Sequence, residues 1–366
     1  MRAAVLHAYH EPLAIEEVAV EAPRAGEVLV RLAASGVCRS DLHVQHGRSP
    51  VARLPMVLGH EGAGVVVELG SGVSGLAVGD PVVIALYGPC GRCADCRAGR
   101  LERCASETRR NNMFGLMPDG STRLSLRGRP VHPMVGAGTL AEYSLVRDAQ
   151  AVAIPRELPL EHACLIGCGV TTGVGAVLNV ARVAPGASVA VIGCGGVGLC
   201  VVQAARIAGA ARIVAVDTQA SKLDLASDLG ATDLAPIEAG ESAAEAIRAR
   251  VPGGVDYAFE VVGAPSLVRE ALLATRPGGM AVMIGAPPPG AELTLDARQL
   301  FTDRTLAGTL GGGNVPQRDI PRIAELWRSG RLELGKLVSQ RLPLERVNEA
   351  FTALEQGQLA RSIVLL

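Results

Sequence analysis

The sequence predicts an α/β protein with two domains, one rich in β-strands and one built on a doubly wound parallel sheet. At 366 residues, the chain is longer than one ordinary hydrophobic core requires. Residues 1 to about 155 contain short apolar segments separated by turns, which is typical of β-strands. From about residue 170 to 313, apolar segments alternate with helical patterns, which favours parallel strands joined by right-handed crossovers. We expect domains over 1–168 and 169–313, with residues 314–366 returning to the first domain.

The predicted elements follow this division. Predicted strands cover 28–32, 64–69 and 81–85 in the first domain and 189–192, 213–216, 255–260 and 280–285 in the second. Predicted helices cover 198–208, 221–229, 241–250 and 265–275, and in the tail 320–328 and 344–355 precede a final strand at 362–366.

Composition narrows the class of protein. The chain has 35 basic and 36 acidic residues and a formal net charge of −1, which argues against nucleic acid or a membrane surface as its main partner. The start, MRAAVLHAYH, does not resemble a signal peptide, and no apolar segment approaches the ~20 residues of a membrane-spanning helix. We therefore expect a cytoplasmic protein, in which nine cysteines indicate metal binding or reactivity rather than disulfides.

A glycine-rich turn opens the second domain. The segment GCGGVG places Gly193, Gly195 and Gly198 after a predicted strand and before a predicted helix. In this pattern the first glycine permits the tight turn, the second lets the backbone approach a pyrophosphate, and the third allows close helix–strand packing. The helix N-terminus would receive the phosphates. A turn without a ligand is the alternative interpretation, and the acid at the end of the next strand, Asp217, disfavours it.

Asp217 also indicates which dinucleotide binds. Its carboxylate can accept hydrogen bonds from the adenosine ribose, and its charge would repel a 2′-phosphate. Thr218 follows, where an arginine could have received that phosphate. The sequence therefore predicts NAD rather than NADP.

A cluster of cysteines lies in the loop PCGRCADCRAGRLERC. Its four members, at C-x2-C-x2-C-x7-C spacing, are Cys90, Cys93, Cys96 and Cys104. Four thiolates this close can enclose one zinc ion tetrahedrally, and such a closed site is structural. An iron–sulfur cluster and free thiols are the alternatives. A nucleic-acid-binding zinc ribbon would normally divide its cysteines into two distant pairs.

Three dispersed residues form a second candidate ligand set: Cys38, His60 and Cys168. Each alone is more typical of core packing. Together they supply the two sulfurs and one nitrogen of a catalytic zinc with an open fourth position. Asp41 and Glu61 are nearby carboxylates that could orient these ligands. Sequence spacing does not bring the three ligands together.

Several motifs, in this order, resemble the zinc-dependent medium-chain alcohol dehydrogenases of the liver and class III types. The motifs are GVCRSD, GHEGAG, the four-cysteine loop, MPDGSTRL, GCGVTTG, GCGGVG with Asp217, and RSIVLL. The resemblance covers nearly the whole chain. It implies a GroES-like catalytic domain, a Rossmann domain, NAD, and two zinc ions per chain, one catalytic and one structural.

The resemblance also implies roles for individual residues near the metals. It makes Cys38, His60 and Cys168 the catalytic zinc ligands and the four-cysteine loop the structural site. Ser40 would pass the substrate proton to His43, which ends the relay at the surface. Asp41 would hold the zinc-bound histidine, and Glu61 would lie behind the metal.

Further positions match the cofactor site and the substrate pocket. Arg39 and Arg361 match arginines that bind the cofactor phosphates, and Lys222 matches a lysine beside the ribose. Gly196 and Val197 complete the glycine-rich turn. The positions that match the surroundings of the nicotinamide are Thr172, Ile284, Gly285 and Ala286, and those that match the pocket wall are Leu86, Met134 and Val135.

The implied reaction is reversible oxidation of a primary alcohol to an aldehyde, with hydride transfer to NAD. Aromatic residues are only 2% of the chain, so we expect an aliphatic pocket that accepts medium-chain, allylic or aromatic alcohols. Thiol-adduct dehydrogenases of the formaldehyde type are the alternative, because class III enzymes share MPDGSTRL. Arg109 and Arg110 could bind the carboxylate of such an adduct, but we interpret them as solvated loop charges.

Three further classes of protein are disfavoured by particular residues. Polyol dehydrogenases often have glutamate where this chain has Cys168, and zinc-free reductases of the superfamily lack the metal ligands. A non-catalytic NAD-binding protein would be expected to lose a zinc ligand or Ser40.

The segment 111–134 bears on the oligomeric state. It resembles the corresponding segment of dimeric relatives, which tetrameric relatives often lack. We therefore expect a homodimer, with a tetramer as the alternative.

Overall fold

The computed structural model describes residues 1–50, 52–357 and 360–366 as two compact units. The first unit contains Met1–Cys168, Val315–Ser329 and Leu334–Leu366. The second contains Gly169–Asn314 together with the short segment Gly330–Glu333. Sequence continuity therefore does not define the first unit, because two of its three segments come from the tail of the chain.

Strands and helices are numbered along the chain. The strands are β1 Arg2–Leu6, β2 Ala14–Glu17, β3 Ala19–Val20, β4 Glu27–Val37, β5 Met56–Val57, β6 Glu61–Leu69, β7 Pro81–Ile84, β8 Leu124–Leu126, β9 Arg129–Pro133, β10 Tyr143–Arg147, β11 Ala151–Ala153, β12 Ser188–Ile192, β13 Arg212–Asp217, β14 Asp233–Pro236, β15 Val255–Glu260, β16 Thr275–Met283, β17 Thr305–Gly308, β18 Val338–Pro343 and β19 Arg361–Leu365. The helices are α1 Arg39–Gln45, α2 Ala94–Arg97, α3 Glu107–Met113, α4 Leu160–Ala163, α5 Gly169–Gly175, α6 Gly196–Ile207, α7 Ala220–Leu229, α8 Ala243–Arg250, α9 Pro265–Ala274, α10 Pro316–Arg328 and α11 Val347–Glu355.

The first unit is organised around the long strand β4. This strand pairs with β6, β10 and β19 in a seven-stranded sheet of order β11-β7-β6-β4-β19-β18. Alternate residues Val28, Val30 and Leu32 are buried in one hydrophobic cluster, as a half-buried strand requires. Strand β19 aligns Ser362 with Val37 at the end of β4, so the tail of the chain reaches the residues that precede α1. A second sheet, of order β2-β1-β5-β9-β8-β3, completes the unit.

The second unit is a six-stranded parallel sheet of order β14-β13-β12-β15-β16-β17. The strand order reverses between β12 and β15, and ligands of such sheets bind beyond the carboxyl ends of the strands at this reversal. Small and β-branched residues such as Ala190, Val214 and Ala258 fill the core between sheet and helices. The predicted α/β class is confirmed.

The boundaries of the predicted elements differ from the observed ones in physically informative places. The strand predicted over 280–285 begins earlier, at Thr275, and ends at Met283. The helix predicted from 241 begins at Ala243, because the Ser242 hydroxyl caps it by accepting the Glu245 N–H. The helix predicted from 344 begins at Val347 after a 3-10 turn. The short strands β14 and β17 were not predicted.

No single helix in the described part of the chain is long and apolar enough to span a membrane. One bent pair, Leu160–Gly167 with Gly169–Ala181, reaches that length and composition only when the two helices are taken together.

Candidate metal centres and nucleotide-binding turn

The four cysteines of the loop converge on one point. The Sγ atoms of Cys90 and Cys96 are 4.0 Å apart, and those of Cys93 and Cys104 are 3.9 Å apart. All four sulfurs lie within 4.8 Å of one another. A tetrahedral zinc ion with Zn–S bonds of about 2.3 Å places its sulfurs about 3.8 Å apart, so the arrangement fits zinc.

The backbone of this loop donates hydrogen bonds to cysteine sulfurs, and Cys90 is the sulfur whose thiolate is most favoured. The N–H groups of Cys93 and Cys96 each donate to the Sγ atom three residues earlier, at 3.3 and 3.5 Å. Although burial opposes the shift, hydrogen bonds from Ser106, Arg92 and Cys93 lower the pKa of Cys90 to about 5. The short helix α2 begins after Cys93, so its first turn presents these donors to the sulfurs.

The structure also brings the dispersed set together. The ligand atoms of Cys38, His60, Cys168 and Glu61 lie within 4.8 Å of one another. Cys38 immediately precedes α1, His60 immediately precedes β6, and Cys168 ends a 3-10 turn at Cys164–Gly167. Three separate elements of the first unit therefore supply the set. A hydrogen bond with Cys168, together with His60, lowers the pKa of Cys38 well below its usual range despite its burial.

Asp41 fixes the histidine of this cluster. Its fully buried carboxylate accepts the N–H groups of Cys38 at 2.9 Å and Gly59 at 3.0 Å, and lies 3.3 Å from His60 Nδ1. Burial disfavours the charged imidazole, but Asp41 raises the pKa of His60 above its usual value. The other ring nitrogen, Nε2, is buried and has no hydrogen-bond partner among the described residues. A buried nitrogen in that situation fits a metal ligand whose opposite nitrogen is held by a carboxylate.

Glu61 forms a buried ion pair behind the cluster. Its carboxylate lies 2.7 Å from Arg361, and the exposed fractions of the two side chains are 0% and 5%. The Arg361 guanidinium also donates to the Val37 carbonyl at 3.4 Å. Strand β19 therefore connects the tail of the chain to the candidate ligand cluster through a charge pair.

Helix α1 carries the residues of the expected proton relay. Ser40 Oγ lies 3.9 Å from Cys38 Sγ, and His43 follows one turn later on the same helix. His43 is half-buried, and burial together with the charge of Arg39 lowers its pKa below the usual 6.5. Its imidazole is therefore neutral at pH 7 and able to accept a proton.

The glycine-rich turn has the geometry that its spacing predicts. Gly193 has φ +96°, and a Cβ on Gly198 would lie 1.9 Å from the Gly193 carbonyl oxygen. A Cβ on Gly195 would meet nothing within 4 Å, which leaves space above the start of α6. Asp217 ends β13, where its carboxylate accepts the N–H groups of Cys194 at 2.8 Å and Gln219 at 3.0 Å.

The remaining predicted cofactor residues have defined places in their units. In the second unit, Thr172 lies in α5 and Lys222 in α7, while residues 284–286 directly follow β16. In the first unit, Arg39 is exposed at the start of α1.

The predicted pocket wall belongs to the hydrophobic core of the first unit. Met134 and Val135 are buried, and Leu86 packs against the same cluster while partly exposed. Val135 has φ 46° and ψ 34°, a left-handed backbone that is unusual for a β-branched residue. Gln150 Nε2 donates to the carbonyls of Ala85 at 3.3 Å and Val135 at 3.5 Å.

Two models of known protein families match the chain. Residues 24–156 match the alcohol dehydrogenase GroES-like domain, and residues 196–328 match the zinc-binding dehydrogenase domain. S-(hydroxymethyl)glutathione dehydrogenase of Synechocystis sp. is 40% identical over 99% of both chains. The enzyme of the same name from Haemophilus influenzae is 41% identical over 99% of this chain and 96% of that one.

The chain belongs to the zinc-dependent medium-chain alcohol dehydrogenase family. Benzyl alcohol dehydrogenase of Acinetobacter calcoaceticus has the same fold, with a TM-score of 0.93 and 32% identity over 100% of this chain and 99% of that chain. An alcohol dehydrogenase zinc-binding domain protein of Burkholderia ambifaria has a TM-score of 0.94 and 41% identity, with 100% and 98% covered. The predicted oxidoreductase class and the GroES-like and Rossmann-type domains are confirmed.

One interpretation of this dehydrogenase's sequence is wrong. Arg109 is not a solvated charge, because its guanidinium donates to the carbonyls of Glu102 at 2.8 Å and Cys104 at 2.9 Å. The same guanidinium lies 4.1 Å from the ring centroid of Tyr87. Burial raises the pKa of Tyr87 to about 12. Arg110, by contrast, is exposed.

A buried polar pair, Asn112 and Gln150, was not predicted from the sequence. Asn112, on the same helix α3 as Arg109, donates to Gln150 Oε1 at 2.7 Å. Gln150 in turn holds the Val135 carbonyl. The three-residue spacing of Arg109 and Asn112 places them on one helix face, and this was the available signal.

Proposed function

We propose that this dehydrogenase oxidises a primary alcohol to an aldehyde, reversibly, with NAD as the hydride acceptor. The observation that carries the proposal is the buried set Cys38, His60 and Cys168, in which His60 Nε2 has no protein partner among the described residues. A zinc ion held by these residues would supply a Lewis acid that lowers the pKa of an alcohol. We assign one catalytic zinc to these residues and one structural zinc to the four-cysteine loop.

Residues of the chain itself carry away the proton that the alcohol loses. Ser40 is the hydroxyl beside the metal ligands on α1, and it receives the substrate proton. His43 then accepts that proton, because its lowered pKa keeps the ring neutral. Asp41 and Glu61 do not exchange protons in this scheme. They hold His60 and Arg361 in place.

NAD is supported by the glycine turn and its acid. The open space at Gly195 suits a pyrophosphate, and the fixed carboxylate of Asp217 suits the ribose hydroxyls while repelling a 2′-phosphate. We assign the cofactor phosphates to Arg39 and Arg361 and the ribose to Lys222. The nicotinamide surroundings are assigned to Thr172, Ile284, Gly285 and Ala286.

The aliphatic pocket wall favours an uncharged substrate. Leu86, Met134 and Val135 offer only apolar side chains. Benzyl alcohol, 1-hexanol and allyl alcohol are therefore the first substrates to test. A thiol adduct is the second candidate, because the relatives at 40 and 41% identity are named S-(hydroxymethyl)glutathione dehydrogenases. Against it, Arg109 Nη1 already donates to two carbonyls of the cysteine loop, which leaves fewer of its N–H groups for the adduct's carboxylates.

The decisive experiment combines a metal assay with a substrate panel. The purified protein should hold about two zinc ions per chain. Cys38→Ser and Cys168→Ser should each reduce that content to about one and abolish NADH formation from the alcohols. Full zinc content with alcohol oxidation in either variant would overturn the ligand assignment. A large preference for formaldehyde with glutathione over every simple alcohol would establish the second candidate instead.

We also propose a homodimer in the cytoplasm. Strand β17 is the edge of the parallel sheet and pairs only with β16 among the described strands, so its outer backbone groups can accept a second copy. Phe301 and Leu310, on either side of this strand, are 90% and 65% exposed. Six of the nine cysteines lie in the two ligand clusters, which need reduced thiolates and so suit the cytoplasm.

A further inference from the structure

Glu260 is a fully buried carboxylate that the proposed reaction does not use. It ends strand β15, aligned with Ile192 at the end of β12. It therefore lies at the reversal of strand order, beyond which nucleotides bind. Burial raises the pKa of Glu260, so a carboxylate here carries a cost that an apolar side chain would avoid.

The side chain and the backbone of Glu260 hold two different segments. Its Oε1 accepts the N–H groups of Val262 at 2.8 Å and Gly263 at 2.7 Å. Its backbone carbonyl accepts the N–H groups of Ile284 at 2.8 Å and Gly285 at 3.2 Å. One residue thus fixes both the turn after β15 and the turn after β16.

These two turns are in close backbone contact, so that neither Gly263 nor Gly285 has room for a side chain. A Cβ on Gly285 would lie 2.0 Å from the Gly263 nitrogen, and a Cβ on Gly263 would lie 2.5 Å from the Ala286 oxygen. The first turn also reaches the nucleotide-binding glycines, because a Cβ on Gly193 would lie 2.7 Å from Val262. A displacement at Glu260 would therefore pass to residues 284–286.

We propose that Glu260 is a positioning residue that holds the nicotinamide end of the cofactor site through these two turns. The inference rests on the proposed NAD function, which places the nicotinamide beside Ile284, Gly285 and Ala286. Glu260 Oε2 has no partner among the described residues, so the single oxygen Oε1 carries the side-chain contribution. The residues assigned to the adenosine end, Asp217 and the start of α6, form no hydrogen bond with Glu260 in the described part of the chain; Asp217 instead accepts the Cys194 N–H at 2.8 Å.

The test compares a whole cofactor with one that lacks the nicotinamide. Glu260→Ala removes the acceptor of two backbone N–H groups, which should weaken NADH binding about tenfold and ADP-ribose binding much less. Binding is measured by calorimetry and by the fluorescence of NADH, whose enhancement on binding should fall in the variant. Glu260→Gln keeps one acceptor oxygen and should restore most of the NADH affinity.

Asp256 provides a matched control on the same strand. Its carboxylate accepts the N–H and hydroxyl of Ser188, both at 2.7 Å, near the opposite end of β15. Asp256→Ala should lower thermal stability, but it should not change the ratio of the NADH affinity to the ADP-ribose affinity. If Glu260→Ala does not fold, Glu260→Asp, which shortens the side chain by one methylene, should show the same separation to a smaller degree.

Two results would overturn the inference. Equal weakening of both ligands would make Glu260 a general scaffold residue, and unchanged NADH binding in both Glu260→Ala and Glu260→Asp would remove its role altogether. A wild-type protein that bound neither ligand would instead overturn the NAD proposal, and this inference with it.

Discussion

At the scale of single residues, Asp41 is a fully buried carboxylate on which the proposed metal site depends. It has no exposed surface, and three groups approach its carboxylate: two backbone N–H groups and His60. Such a carboxylate fixes the tautomer and the orientation of the ring. The geometry of the proposed catalytic site therefore depends on a residue outside the proposed ligand set.

Substitution of Asp41 tests this dependence. Asp41→Asn should weaken zinc binding at the catalytic site by roughly 10- to 100-fold, because the histidine loses the charge that orients it. Competition with a chromogenic chelator measures the affinity, and the structural zinc provides an internal reference. Asp228→Asn, at an exposed position on α7, is the control. Wild-type zinc retention in Asp41→Asn would refute the assignment.

His43 should give the enzyme a recognisable pH dependence. Because burial and Arg39 lower its pKa from the usual 6.5, the ring remains neutral down to a lower pH, and turnover should fall only below that usual value. His43→Gln should reduce kcat roughly tenfold, below the 10²–10⁴ range of a direct general base, since His43 acts through Ser40. Added imidazole buffer should restore part of the rate.

His46, one turn further along the chain from His43, is the matched control for that experiment. It lies 3.3 Å from Glu355, and it has no place in the relay. His46→Gln should leave kcat at neutral pH unchanged. An undiminished kcat in His43→Gln would remove that residue from the proton path.

At the scale of elements, the sequence predicted features formed by residues close together in the chain, but it did not predict contacts between distant residues. The turn from β12 to α6 could be predicted because the residues that define it are neighbours in the chain. The gathering of Cys38, His60 and Cys168 depends on the pairing of β4 with β6 and on a 3-10 turn far along the chain. Without the family resemblance, the sequence offered three unrelated residues.

Two substitutions in the glycine-rich turn should distinguish its role in folding from its role in cofactor binding. Gly195→Ala should leave thermal stability nearly unchanged, because the new Cβ meets no protein atom within 4 Å. It should nevertheless weaken NADH binding by about tenfold or more, because the Cβ would occupy the space proposed for the pyrophosphate. Gly198→Ala should lower both, since its Cβ would lie 1.9 Å from the Gly193 oxygen. Thermal melts and NADH titrations distinguish the two variants, and equal NADH affinity in Gly195→Ala and wild type would show that the pyrophosphate lies elsewhere.

Helix α3 was not predicted, and the reason is physical. Its sequence, ETRRNNM, has no apolar periodicity, and the helix depends on a cap, the Ser106 hydroxyl, which accepts the Arg109 N–H at 3.2 Å. Tertiary contacts complete it, with Arg109 on Tyr87 and Asn112 on Gln150. The helix thus connects the four-cysteine loop to the predicted pocket wall.

This connection should be visible in substrate selectivity. Asn112→Ala removes the hydrogen bond that fixes Gln150, and the strained backbone of Val135 loses that support. The ratio of kcat/KM for benzyl alcohol to that for ethanol should change several-fold, about what a small change in an apolar pocket produces. Asn111→Ala, the neighbouring position, should preserve the ratio. A preserved ratio in Asn112→Ala as well would show that α3 is only a scaffold.

At the scale of the whole molecule, the chain order hides how the first unit is built. Strand β19 pairs with β4 and delivers Arg361 to Glu61, although 300 positions separate these two residues. The apolar tail RSIVLL predicted a strand but not its neighbours. Which strands pair depends on contacts between distant parts of the chain, and sequence periodicity does not record these contacts.

The open edge of strand β17 is the proposed dimer interface. An unpaired strand edge beside exposed apolar residues is prone to associate with another chain. Pairing with the same edge of a second copy would form the missing backbone hydrogen bonds and bury the apolar side chains. Phe301→Glu combined with Leu310→Glu should convert the protein from a dimer to a monomer in analytical ultracentrifugation, because each copy would bring two buried charges to the interface. Val78→Glu, at a position that is 64% exposed in the first unit, should remain dimeric. A double variant that sedimented as a dimer would place the interface on another surface.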